Sequence, residues 1–135
     1  MRAKAREVAF QVLFASSFNG EVDIGLKNAL CKNEKLDEND IKYVDAVLSL
    51  VAEHKSGFEE IIDKYSISFP SVRIYPADKS ILFVALAEIK YFDDIPPAVS
   101  ANEAANIASK YSSGKSASYV SGILAEVIKQ NVSNN

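Results

Sequence analysis

The chain has one cysteine, one histidine and no tryptophan in 135 residues. A single thiol, Cys31, closes no internal disulfide, so the sequence fits a reducing cytoplasm. His54 is the one imidazole and no HExxH or CxxC spacing exists, so no His/Cys metal site can be assembled. A Ser–His–Asp triad has no serine motif to build on. Cys31 and His54 therefore read as packing or surface residues. Glycine and proline are scarce, at five and four, which excludes collagen-like and low-complexity structure. Long apolar runs are missing too. The longest, Ile81 to Ala87, is far too short to cross a bilayer, and Glu88 and Lys90 follow it. The N-terminus is amphipathic and lacks the continuous apolar stretch of a secretory signal. The expectation is a soluble intracellular protein with no cofactor and no metal.

What is present is apolar patterning with an uneven charge distribution. The composition is 48% hydrophobic and 24% charged, with a net charge of −3. That balance speaks against a generic nucleic-acid coat, yet Arg2, Lys4 and Arg6 precede any acid, whereas Glu34 to Asp40 is mostly acidic. A local cationic site on an acidic body fits this layout, as does a solvated basic tail.

Nearly every segment carries helical period. Ala5, Val8, Ala9, Val12 and Leu13 form one buried stripe, with Phe10, Phe14 and Phe18 on the opposite side. Phe10 and Phe18 are expected in the core, and periodicity leaves Phe14 open. Asn19-Gly20 ends this helix. A short helix is expected from about Val22 to Cys31, and a stronger one from Leu36-Asp37, with Asp37 as its N-cap. Ser56-Gly57 is expected to interrupt the pattern, with Phe58, Ile61, Ile62 and Tyr65 continuing it as a short helix or a bent extension, and Ser66 to Pro76 reads as a loop. Pro76 suits the first turn of the next helix and Asp78 its positive dipole end. The interior "SILFVALAEIKYF" is apolar almost all round and predicts a central buried helix. "DDIPPAV" breaks it. Ser100, with Glu103 three positions later, is expected to cap a helix to Tyr111. "SSGKSAS" reads as a polar loop, and a last helix carries Ala117, Val120, Leu124, Val127 and Ile128 before the tail. The prediction is an all-α bundle of about six or seven helices in one compact unit over residues 1–131, with 132–135 as a polar tail.

The residues offer little catalytic chemistry. "GKS" in "SSGKSAS" evokes a phosphate-binding loop, but position 109 is Ser109 where that motif needs glycine, and a helix precedes it rather than a strand. Lys115 and Ser116 remain on a polar turn before a helix N-terminus, where backbone amides favour anions, or they form a plain serine-capped connector. Tyr111 and Tyr119 bracket that turn. Phe14 follows Arg6 by two turns on roughly the same side. Aromatic rings that stack on bases, interleaved with cations that hold phosphates, suit single-stranded RNA.

These residues carry a resemblance to a known family. "RAKAREVAFQVLF" resembles the basic opening of the NusB family of bacterial transcription antitermination factors. "ADKSILFVALAEI", "IPPAVSANEAANIASKY" and "SASYVSGILAEV" are similar to its three later motifs, in order, from Arg2 to about Ile128. The resemblance implies an all-α fold of two helical halves and a non-enzymatic role in ribosomal RNA transcription. It implies that the protein pairs with ribosomal protein S-ten (NusE), that the pair binds boxA RNA, and that the unit joins the RNA polymerase elongation complex with other Nus factors. Carried over by position, the arginine-rich arm falls on Arg2, Lys4 and Arg6. The helix-one tyrosine falls on Phe14, beside Gln11, and a further tyrosine on Tyr65. The loop aromatics fall on Tyr111 and Tyr119, with Lys115 and Ser116 between them.

The chain departs from the family at several of these positions. Ala3 and Ala5 dilute the arm, and Phe14 lacks a hydroxyl but keeps a stacking face. Lys115 stands where the family often has Asp, which strengthens phosphate attraction. Ser118 and Ser121 replace the usual Lys and Asn. Two other classes of function fit a small helical domain. One is a domain associated with an RNA methyltransferase, although no Gly-rich cofactor loop or catalytic cysteine motif is present. The other is a self-associating regulatory bundle, a homodimer whose seam covers the RNA surface.

Overall fold

Helix starts and stops follow local chemistry at most boundaries. The computed structural model describes residues 1–66 and 74–133, and these form six α-helices with no strand among them. They are α1 (Arg2–Asn19), α2 (Ile24–Asn33), α3 (Glu38–Tyr65), α4 (Pro76–Tyr91), α5 (Pro97–Tyr111) and α6 (Gly114–Ser133). Gly20 ends α1 in the left-handed region, at φ 85°, and its N–H donates to the Ser16 carbonyl at 2.8 Å. A side chain would strain that backbone, so glycine suits the position. Asp23 and Asp37 cap α2 and α3 by accepting from the Leu26 and Asp40 amides at 3.0 and 2.9 Å. Pro76 opens α4, where its missing N–H leaves no donor unsatisfied.

The bundle is organised around α4, which contacts α1, α3, α5 and α6. Ser80 through Glu88 are all buried, as the apolar run predicts. Each fully buried Leu, Ile or Val side chain contributes about 1.5–3 kcal/mol, so this helix holds α1–α3 and α4–α6 together as two packed halves. The first stripe of α1, from Ala5 to Leu13, is buried against it, and Val120, Leu124 and Val127 of α6 close the other side.

Several boundaries differ from expectation. Ser100 caps nothing: α5 begins at Pro97, with Pro96 at the N-cap, and Ser100 is buried one turn inside. The proline pair is the start signal, because Pro97 presets the helical φ and has no amide to satisfy. The "SSGKSAS" stretch is mostly helix, since α6 starts at Gly114 and puts Lys115 and Ser116 in its first turn. The Ser113 hydroxyl accepts from the Ser116 amide at 3.2 Å, an N-cap contact. The interruption in α3 falls at His54 (φ −112°, ψ 15°) rather than Ser56-Gly57, and the helix continues through it. His54 stacks on Tyr91 at 4.5 Å between centroids. Phe18 is not core but 67% exposed, because it sits in the last turn of α1 beyond the packed stripe. Most of the expected Ser66–Pro76 loop, residues 67–73, lies outside the described residues, as do residues 134 and 135 of the expected tail. Helix α6 itself runs into that tail as far as Ser133.

Candidate nucleic-acid interface

The three arm cations start α1, and each is engaged. The Arg2 guanidinium lies 4.4 Å from the centroid of the Tyr43 ring. Lys4 faces Glu34 at 3.8 Å. Arg6 is buried, its Nε donates to Glu88 at 2.7 Å, and its guanidinium reaches Glu103 at 3.8 Å. Glu88 is wholly buried and also accepts from the Tyr43 hydroxyl and, at 2.7 Å, from Ser100. Burial alone would lower the Arg6 pKa, but the hydrogen bond and charge of Glu88 outweigh it and raise it. The structure commits Arg6 to this network, because a buried carboxylate requires a charged partner.

The exposed end of the same helix face is different. Tyr111, at the end of α5, donates its hydroxyl to Glu7 at 3.0 Å and accepts from the Gln11 amide at 3.3 Å. Its ring lies 5.0 Å from Phe10, which stacks on Phe14 at 6.0 Å, and Phe14 meets Phe18 edge-on at 5.2 Å. Burial, then the bond to Glu7, raises the Tyr111 pKa, so its hydroxyl stays neutral and keeps donating. Lys110 bonds both oxygens of Glu7 at 3.0–3.1 Å. In the first turn of α6, Lys115 is exposed and has no ion-pair partner among the described residues.

The remaining expected residues divide. Ser116 is buried: it donates to Asp78 at 3.1 Å and shares a 2.8 Å hydrogen bond with Ser112. Its hydroxyl is committed inside and ties α6 to α4. Tyr119 shares a 2.8 Å hydrogen bond with Ser66, and Tyr65 lies half-buried beside it in sequence, its ring under Lys64 at 5.3 Å. The structure thus joins Gln11 to Tyr111 directly and Phe14 to Tyr111 through the Phe10 ring, and puts Lys115 in the first turn of the helix that follows. It gives Arg2 and Lys4 partners of their own. Glu7 and Lys110 were not among the expected residues. Their signal was available, since Glu7 lies one turn before Gln11 on α1 and Lys110 adjoins Tyr111.

Among the described residues no cluster of His, Cys, Asp or Glu is placed to hold a metal ion, and no helix is long and apolar enough to cross a membrane. Fold and surface together define a class: a small all-helical protein presenting aromatic rings and a lysine on one face, a combination suited to nucleic acid. The NusB family model matches residues 3–129, and the chain belongs to the NusB family. That family consists of non-enzymatic RNA-binding transcription antitermination factors. The chain is 37% identical to the transcription antitermination protein NusB of Natranaerobius thermophilus, covering 96% of this chain and 95% of that protein. It is 42% identical to that of Methylacidiphilum infernorum, covering 95% and 90%. Among solved structures, T. maritima NusB superposes with a TM-score of 0.87 at 25% identity, over 96% of this chain and 91% of that one. A crystal structure of antitermination factors NusB and NusE in complex with dsRNA superposes at 0.84 and 21% identity, over 96% of each chain. At that identity the likeness is one of fold.

Proposed function

We propose that this protein is a cytoplasmic antitermination factor that binds boxA-type RNA together with ribosomal protein S-ten (NusE), within the elongating polymerase complex and alongside other Nus factors. The observation that carries this reading is the Tyr111 cluster, where an exposed ring is held in a fixed orientation by Glu7, Gln11 and Phe10, with the exposed Lys115 four residues further along the chain. A ring fixed in place stacks on an unpaired base with little further loss of freedom, and stacking contributes about 1–3 kcal/mol per base. Lys115 holds a neighbouring phosphate. Phe14, Tyr65 and Tyr119 extend the aromatic surface, and Arg2 and Lys4 contribute their charge at the edge. The reading also draws on the antitermination relatives and on the NusB–NusE–dsRNA complex, whose NusB shares this fold.

The test is fluorescence anisotropy of labelled boxA RNA against a scrambled RNA, with and without S-ten. Tighter binding to boxA that strengthens with the partner supports the reading. Equal weak binding to both RNAs, unmoved by the partner, contradicts it.

A further inference from the structure

We propose that Glu7 sets the affinity of the RNA face: it positions Tyr111 and at the same time holds Lys110 neutralised until a phosphate displaces it. The inference rests on the RNA-binding reading above, in which Glu7 only holds the Tyr111 ring, and adds a control over Lys110.

The geometry is that of an occupied anion site. Both Glu7 oxygens accept from the Lys110 ammonium, at 3.1 and 3.0 Å, and one also accepts from the Tyr111 hydroxyl at 3.0 Å. An RNA phosphate would recruit the same two donors, an ammonium and a phenol. The carboxylate is held in place, with a side chain 20% exposed, while the lysine is 53% exposed and faces solvent. Lys110 also lies 5.4 Å from the centroid of the Tyr111 ring, so cation, ring and carboxylate form one cluster across α1 and α5. Glu7 therefore acts in two opposed ways. Its hydrogen bond anchors Tyr111 for stacking, which favours RNA. Its charge competes for Lys110 and repels phosphate, which opposes RNA. A neutral isostere separates the two, because glutamine can still accept from Tyr111 but no longer neutralises the lysine.

The experiment is a double-mutant cycle on RNA affinity at several salt concentrations. Glu7→Gln is expected to tighten boxA binding about three- to tenfold at low salt and to steepen the salt dependence by about 0.7 in log–log slope, one added phosphate contact. Glu7→Ala, which also releases Tyr111, should tighten binding less than Glu7→Gln. Lys110→Gln should weaken binding more in the Glu7→Gln background than in wild type, since only there is the lysine free. Glu60→Gln, the same charge change at an exposed position on α3, controls for net charge and should alter affinity little. Circular dichroism melts verify that each variant is folded. The inference is overturned if wild type binds RNA while Glu7→Gln binds no better than Glu60→Gln, or if Lys110→Gln costs the same in both backgrounds. If neither wild type nor any variant binds RNA, the RNA-binding reading fails and takes this one with it.

Discussion

The Arg6 Nε and a carboxylate oxygen of Glu88 stand 2.7 Å apart, both buried, joining positions separated by 82 residues of chain. Tyr43 and Ser100 complete the shell around Glu88, so one carboxylate ties α1, α3, α4 and α5 together. Arg6→Ala leaves that carboxylate buried without its cation, and should cost about 3–5 kcal/mol in chemical denaturation. Arg6→Lys keeps the charge, and its folded fraction should bind RNA as wild type does. A large loss of affinity in folded Arg6→Lys would return Arg6 to the RNA face.

Ser100 gives a milder test of the same network. Its hydroxyl donates to Glu88 at 2.7 Å from a buried position. A hydrogen bond to a charged group contributes about 1.5–3 kcal/mol, and Ser100→Ala should lower stability by that amount with no change in helix content by circular dichroism. An unchanged denaturation midpoint would mean that Glu88 is satisfied without it.

Asp78 gives the fold a pH dependence. Burial raises its carboxyl above the ordinary aspartate value of 3.8, against the hydrogen bond from Ser116. Between 3.8 and the raised value the folded protein holds a proton that the unfolded chain has lost, so this group's contribution to stability falls as pH rises through that window. At neutral pH the ionised carboxylate is a net cost. Asp78→Asn should therefore raise the Tm at neutral pH, with the gap closing as pH falls below the ordinary aspartate value. A gap that persists in acid would rule out ionisation as its cause.

Tyr111 separates ring from hydroxyl. Tyr111→Ala should weaken RNA binding by about 1–3 kcal/mol, the loss of one stacked base. Tyr111→Phe keeps the ring on Phe10 and should lose only part of that. Equal losses in the two variants would assign the effect to the hydroxyl and not to stacking.

Gly20 tests the termination of α1. At φ 85° an alanine is strained, and Gly20→Ala should destabilise by about 1 kcal/mol in denaturant titration. No loss would mean that the turn relaxes around the substitution.

Periodicity and capping made most of the fold legible. The stripe from Ala5 to Leu13, the apolar run Ile81 to Ala87 of α4, and the caps at Asp37 and Gly20 are local signals, and the structure has them where the pattern puts them. The misses share one physical cause, since a residue type that suits two local roles is assigned by tertiary packing. Ser100 looks like a cap because serine often is one, yet the proline pair starts the helix and frees Ser100 for Glu88. Phe18 continues an apolar spacing past the end of the layer that would bury it. Charge composition says nothing about the partners of the arm, because Glu88, Tyr43 and Glu34 lie far away in sequence. Tyr111 and Phe14 stand out by residue type and Gln11 by the family likeness, but the Glu7–Lys110 pair beside them is a contact between α1 and α5 that spacing does not show.

The most direct test of the account is to locate the RNA. In a ¹H–¹⁵N NMR titration of the protein with boxA RNA, the account predicts perturbations concentrated on Glu7, Gln11, Phe14, Lys110, Tyr111 and Lys115, with the amides around the buried Glu88 little moved. Perturbations centred instead around the stacked His54 and Tyr91, with the Tyr111 cluster silent, would contradict it.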